Sequence, residues 1–126
     1  KQWKVHDLQV EDQSPVRMLY SAYNQTVAAG PFGLYLVRGM QSETLDHGNF
    51  SGILILRQGS LIASSTEGLV SYDQQGSDWE KSVLDPSLKN AHSFVEFKNQ
   101  QFFLCKNGVF KLNRRSGNTQ AIQYAG

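Results

Sequence analysis

Three stretches of the chain can be laid over one another, and a sequence made of such internal copies is confined to architectures that stack one small unit several times. The copies are Tyr23–Val37, Arg57–Tyr72 and Lys98–Leu112. Aligned, they put Gly33, Gly68 and Gly108 in one column, each followed by Leu34, Leu69 or Val109 and then by Tyr35, Val70 or Phe110. A glycine recurring at one place in a repeat points to a positive φ or to close approach of two chain segments. Upstream, Val27, Leu61 and Phe102 share a column, followed by Ala28, Ile62 and Phe103 and then by Ala29, Ala63 and Leu104. Such runs are apolar on both faces, as a strand covered from both sides requires.

Apolar and β-branched clusters of strand length recur along the chain, separated by Asn, Gln, Gly and Ser. Asn24-Gln25, Gln58-Gly59 and Asn99-Gln100 read as hairpin connections, and Arg38-Gly39, Gln75-Gly76 and Ser116-Gly117 as the turns into each unit's last strand. Only Asp85–Asn90, where an Asp precedes a Pro, is open to a helical turn, and plain loop is as good a reading. The sequence thus predicts an all-β chain of four-stranded antiparallel units whose burial falls from inner to outer strand. Repeats of this length and strand content are those of β-propeller blades.

Trp3–Leu8 matches Trp79–Leu84, with Trp first, Leu five residues later, and a polar loop carrying Pro15 or Pro86 after it. Because Trp79 falls in a fourth strand, Trp3 is expected to begin the outer strand of a preceding blade. The expected organisation is one repeat domain over 1–126: an outer strand and loop at 1–14, then blades at 15–50, 51–91 and 92–126. Three blades cannot close a ring, since propellers carry at least about four. The expected partners are therefore other blades of a parent propeller or further copies of the chain, with a small molecule or a protein as ligand.

Composition narrows the classes. Among 126 residues, 12 Lys and Arg balance 11 Asp and Glu for a net charge of +1, which argues against nucleic acid as a partner. The longest apolar runs, such as Gly52–Leu56, are too short to span a bilayer, so no direct membrane insertion is expected of this segment. The N-terminus lacks the basic-then-apolar order of a signal peptide, so the chain reads as processed, excised from something larger, or cytosolic. A single cysteine, Cys105, cannot form an internal disulfide and reads as a small buried filler.

The stretches Leu61–Asp73 and Phe103–Gly117 resemble the two-component regulator propeller repeat: a hydrophobic strand, a small-residue turn, a Gly-Leu-Tyr-like step, then Asp or Asn before a Gly-containing turn. The tryptophan of that family's second strand is replaced by Ala28, Ile62 and Phe103. The resemblance implies a periplasmic or extracellular sensing region of a membrane-bound sensor kinase or diguanylate cyclase, a ring that dimerises. A cytoplasmic location stays open on the residues alone. A weaker resemblance, to the Asp-box turn of sialidase-like propellers, rests on Ser71–Asp73 with Gly76 and Trp79, with one residue too many between the Asp and the Gly.

Little in the chain proposes a reaction. His6, His47 and His92 are unpaired at ligand spacing and no Cys-x-x-Cys occurs, so neither a metal nor a cofactor is expected. Glu11-Asp12 and Asp78 with Glu80 read as solvated carboxylates rather than a glycosidase pair. Trp3 and Trp79 read as rim cover rather than sugar platforms. Asp12, Asp46, His47, Lys89 and His92 lie in connections between units, which gather on one propeller face, and they are the candidate ligand-binding residues. The expected function is a non-catalytic sensory or ligand-binding propeller segment. A protein-interaction scaffold is the alternative, and a propeller hydrolase an outside one.

Overall fold

The computed structural model of the chain describes residues 16–106, 108–115 and 118–125. Among them every regular element is a strand. The strands are β1 (Met18–Ala22), β2 (Gln25–Ala29), β3 (Gly33–Arg38), β4 (Gln41–His47), β5 (Phe50–Ile55), β6 (Leu61–Ser65), β7 (Gly68–Gln75), β8 (Asp78–Asp85), β9 (Ser93–Phe97), β10 (Gln100–Cys105), β11 (Gly108–Arg115) and β12 (Asn118–Ala125). They form three antiparallel four-stranded sheets, each a meander in chain order: β1 to β4, β5 to β8 and β9 to β12. Asp85–Asn90 is a turn, not a helix. Asp85 carboxylate oxygen Oδ1 accepts the Ser87 N–H at 2.9 Å and the Ser87 hydroxyl at 2.6 Å, an Asx turn that draws the backbone away from helix.

The first hairpin of the first and third sheets turns through two residues of positive φ, Tyr23 (51°) with Asn24 (64°) and Lys98 (51°) with Asn99 (63°). That is the type I′ geometry whose twist suits a hairpin, formed here without glycine. In the second sheet Leu56 N–H bonds Ser60 O across a longer turn. The extra length moves the register. With the glycine column fixed, the sheet pairings align Val27 with Ile62 and Phe102, and not with Leu61, so the alignment expected for the second unit is displaced by one residue. A one-residue slip exchanges the faces of a strand.

Each third-to-fourth-strand ladder also carries a bulge at the same place, between Leu34 and Tyr35, Leu69 and Val70, and Val109 and Phe110. The extra residue on the fourth strand is Leu45 in the first sheet and Leu84 in the second. Both pack inward on a core cluster. The bulge re-aims the strand end, so that Asp46 and Asp85 follow at equivalent positions and open the connections to the next sheet.

The second sheet is covered on both faces. Ile53, Ile55, Leu61, Ala63, Val70 and Tyr72 meet Val27, Ala29, Leu34 and Leu36 of the first sheet. Leu54, Leu56, Ile62 and Leu69 meet Phe103, Cys105 and Leu112 of the third, with Phe94 and Phe110 packed beside them. Period-two alternation along one strand thus feeds two separate cores. Phe94, Phe103 and Phe110 form a row with centroids 5.7 and 5.6 Å apart. The first strands β1, β5 and β9 are neighbours in sequence order. The expected fall in burial from inner to outer strand holds in the second sheet, where β5 and β6 are buried almost throughout and β8 is mostly exposed. In the first sheet β1 is mostly exposed and no more buried than β4, because among the described residues only the second sheet is covered by a sheet on both faces.

Candidate functional site

Two connections between sheets leave from the same end of the stack, because each sheet has four antiparallel strands and its last strand ends where the next sheet begins. The first is short, from His47 to Phe50. It is tied down by Gly48 N–H to Phe32 O and Phe50 N–H to Gly30 O, both 3.0 Å, and by Thr66 N–H to Asn49 O at 3.3 Å. Asp46 caps it: its Oδ1 accepts the His47 N–H at 2.8 Å.

The other carboxylate oxygen of Asp46 reaches across to the second sheet. It accepts the hydroxyl of Tyr72 at 2.7 Å and pairs with Lys81 Nζ at 2.9 Å, while Lys81 also holds Glu67 at 2.6 Å. Burial opposes the charge on Asp46. The Lys81 ammonium, the Tyr72 hydroxyl and the His47 N–H nonetheless hold its carboxyl below the ordinary carboxylate range. Burial, with Asp46 beside it, pushes the Tyr72 phenol up. Lys81 is likewise raised, because its two carboxylate partners outweigh its own burial. The cluster joins two sheets through one carboxylate, and its groups satisfy one another.

The second connection, Pro86–His92, is anchored from beneath. Leu88 and Ala91 are buried. Ser64, a buried polar residue in the middle of an apolar strand, accepts the Ala91 N–H at 2.8 Å and donates to Leu88 O at 3.4 Å. Ser51 donates to Ala91 O at 2.9 Å, and the His92 N–H donates to Leu104 O at 3.0 Å. Gly68, at φ 120°, lies under this loop; a Cβ there would meet the Asp85 carbonyl and, at 2.6 Å, the Pro86 Cα. Lys89 and His92 stand exposed on this fixed backbone.

Of the candidate residues, Asp46 and His47 are the last two of β4, at the mouth of the first connection and not in the loop as expected, while Lys89 and His92 lie in the second, on the same end of the stack. Asp12 lies outside the described residues, as do Trp3 and the whole of 1–14. Asp46 is engaged with Tyr72 and Lys81, and His47, Lys89 and His92 are exposed. Sequence reasoning passed over Tyr72, Lys81, Glu67 and Ser64. Ser64-Ser65 within an otherwise apolar strand was the available signal, since small hydroxyl residues in a buried strand need partners. Among the described residues no group of His, Cys, Asp and Glu is arranged to hold a metal ion. Cys105 is buried in the second core, and burial raises its thiol.

The opposite end of the stack carries a cleft of about 180 Å³ between the first and second sheets, lined by Asn24, Gln25, Arg38, Gln74 and Trp79 among others. Trp79 packs its body on the first core. Gln25 donates to Gly59 O at 3.3 Å, and its buried Oε1 has no hydrogen-bond partner.

The fold and the site define an all-β chain of three repeated antiparallel sheets joined by anchored connections. No protein-family model matches the chain, and no curated protein matches it significantly. Among the described residues no helix is long and apolar enough to cross a membrane.

Proposed function

We propose that the chain is a non-catalytic binding segment of a β-propeller, of the kind that senses a ligand for a signalling receptor, and that the sheets are three successive blades. One observation carries the architectural part. Tyr23, in the first hairpin of the first sheet, donates to Glu96 Oε1 on β9 of the third sheet at 2.7 Å, bypassing the sheet between them. Flat sheets stack about 10 Å apart, so the first and third would stand roughly 20 Å from each other. A hydrogen bond between them is what inner strands converging on one axis supply.

Blades around an axis gather their connections on one face. There His47, Lys89 and His92 are exposed on backbone that is already fixed, so binding would cost little ordering entropy. The resemblance to two-component regulator repeats, carried by Leu61–Asp73 and Phe103–Gly117, supports a periplasmic or extracellular sensor as the parent.

The test is a thermal-shift screen of small molecules against the chain and against a variant carrying His47→Ala, Lys89→Ala and His92→Ala. Ligands that stabilise the first and not the second, with both melting alike when unliganded, bear the reading out. Stabilising ligands that act equally on both refute this face as the site. A scaffold that binds only protein is the second reading, favoured by the exposed apolar face of the third sheet.

A further inference from the structure

At the end of the stack away from the anchored connections, the cleft between the first and second sheets continues into another. The first part, of about 180 Å³, has Gln25 and Arg38 on one wall and Gln74 and Trp79 on the other. The second, of about 200 Å³, lies beside the last turn of the first sheet and is lined by Arg38, Gln41 and Glu43. Leu36 and Arg38 line both parts, so the two adjoin.

The strand ladder brings these side chains to one face. Arg38 follows Leu36 by two residues, and Glu43 stands directly opposite Leu36 on β4. Arg38 and Glu43 are therefore diagonal neighbours, with Cβ atoms about 7–8 Å apart. Leu36 is buried between the sheets in the first core, while both charged side chains are exposed. Among the described residues neither Arg38 nor Glu43 makes a side-chain hydrogen bond or an ion pair. Opposite charges that flank a cleft and are spent on nothing else match a molecule carrying both signs close together.

The neighbouring part of the groove supplies an apolar body and a polar handle. Trp79 is half-buried there with its ring against the first core. The Gln25 amide is satisfied on one side only: Nε2 donates to Gly59 O at 3.3 Å, and the buried Oε1 has no donor. Such an acceptor is costly to leave unmade, and the last torsion of a glutamine is broad, so the amide turns toward a donor at little cost.

We infer that the groove binds a free aromatic α-amino acid whose ring carries a hydrogen-bond donor, of the tryptophan or tyrosine type. The Arg38 guanidinium takes the carboxylate, which its planar fork fits, and Glu43 takes the ammonium. The aromatic ring passes Leu36 to lie beside Trp79, where its donor meets the Gln25 amide. A neutral sugar would answer the amides but leave both charges unused. This site lies at the other end of the stack from His47, Lys89 and His92, and it rests on no part of the propeller reading.

Isothermal titration calorimetry of L-tryptophan into the whole chain tests it, with one molecule bound per chain as the expected result. Tryptophanamide, which lacks the carboxylate, and N-acetyltryptophan, which lacks the ammonium, should each bind at least about threefold more weakly. Arg38→Gln should weaken tryptophan and leave tryptophanamide unchanged, whereas Glu43→Gln should weaken tryptophan and leave N-acetyltryptophan unchanged. Both side chains are exposed, so the two variants should melt with the parent chain. The variant carrying His47→Ala, Lys89→Ala and His92→Ala should bind tryptophan as the parent does. No saturable binding up to the solubility of tryptophan, equal affinity for the three compounds, indifference to both substitutions, loss of binding in the triple variant, or glucose bound as tightly as tryptophan would each overturn the inference.

Discussion

Tyr72 carries more structural consequence than its aromatic ring suggests, because its hydroxyl is spent on a carboxylate from another sheet. The ring fills the first core at 2% exposure while the hydroxyl reaches Asp46. Tyr72→Phe keeps the ring and leaves one lone pair of a partly buried carboxylate without its donor. A hydrogen bond to a charged group contributes about 1.5–3 kcal/mol. The variant should lose about that much in urea unfolding, seen as a lower midpoint at unchanged slope. The pH dependence has two signs. Asp46 has a lowered carboxyl pKa when folded, so its contribution is full at neutral pH and is lost as pH falls below the ordinary value of about 3.9 and through the folded one. Lys81 and Tyr72 have raised values, so their contributions hold below about pH 10 and are lost as pH rises through the folded ones. Asp46→Asn should flatten the acid limb of a stability–pH curve relative to the parent chain. An acid limb unchanged in the variant would remove Asp46 from the account.

At the scale of elements, the connection between the second and third sheets depends on Ser64. Its hydroxyl answers two backbone groups of Leu88 and Ala91 where solvent does not reach. Ser64→Ala leaves the Ala91 N–H buried and unsatisfied, which costs about 1–3 kcal/mol. It should also speed hydrogen exchange at Ala91 and His92 while leaving β2 and β3 unchanged; equal exchange in both proteins would show that buried Leu88 and the Ser51–Ala91 and His92–Leu104 bonds hold the loop without Ser64. This element also shows what could be read in advance. The strands, their order and the glycine column followed from apolar clusters and turn residues, because those signals are local. The I′ turns at Tyr23-Asn24 and Lys98-Asn99 were placed one residue late, since Asn tolerates positive φ and its neighbour's conformation is not written in its type. The displaced Leu61 column and the bulges at Leu45 and Leu84 were not legible, because register is decided by pairing across strands. The Asp46–Tyr72–Lys81 cluster was hidden for the same reason: Tyr72 and Lys81 are neighbours across β7 and β8, but Asp46 lies 26 residues before Tyr72 and meets them only once two sheets pack.

For the whole molecule, the decisive asymmetry is that one sheet has two partners and the others have one described partner each. β6 is buried at all five positions, whereas β9 alternates between exposed and half-buried. Opening the second sheet exposes both cores at once, while opening the third exposes only the cluster around Phe103 and Leu112. Local unfolding follows such differences in buried contacts. Native-state hydrogen exchange should therefore rank the amides of β6 and β7 slowest, at the free energy of global unfolding, with β9 and β10 exchanging through a cheaper opening that denaturant affects less. Phe103→Ala sharpens the comparison. Truncating a buried phenylalanine costs about 3–5 kcal/mol, and here the loss falls on the interface of the second and third sheets. It should lower protection in β9 to β11 before it lowers that in β2 and β3, because the first core contains none of the atoms removed. Uniform loss across all three sheets would mean that they unfold as one cooperative unit. In that case the second sheet, whose two faces line both cores, would be the element that couples the first sheet to the third.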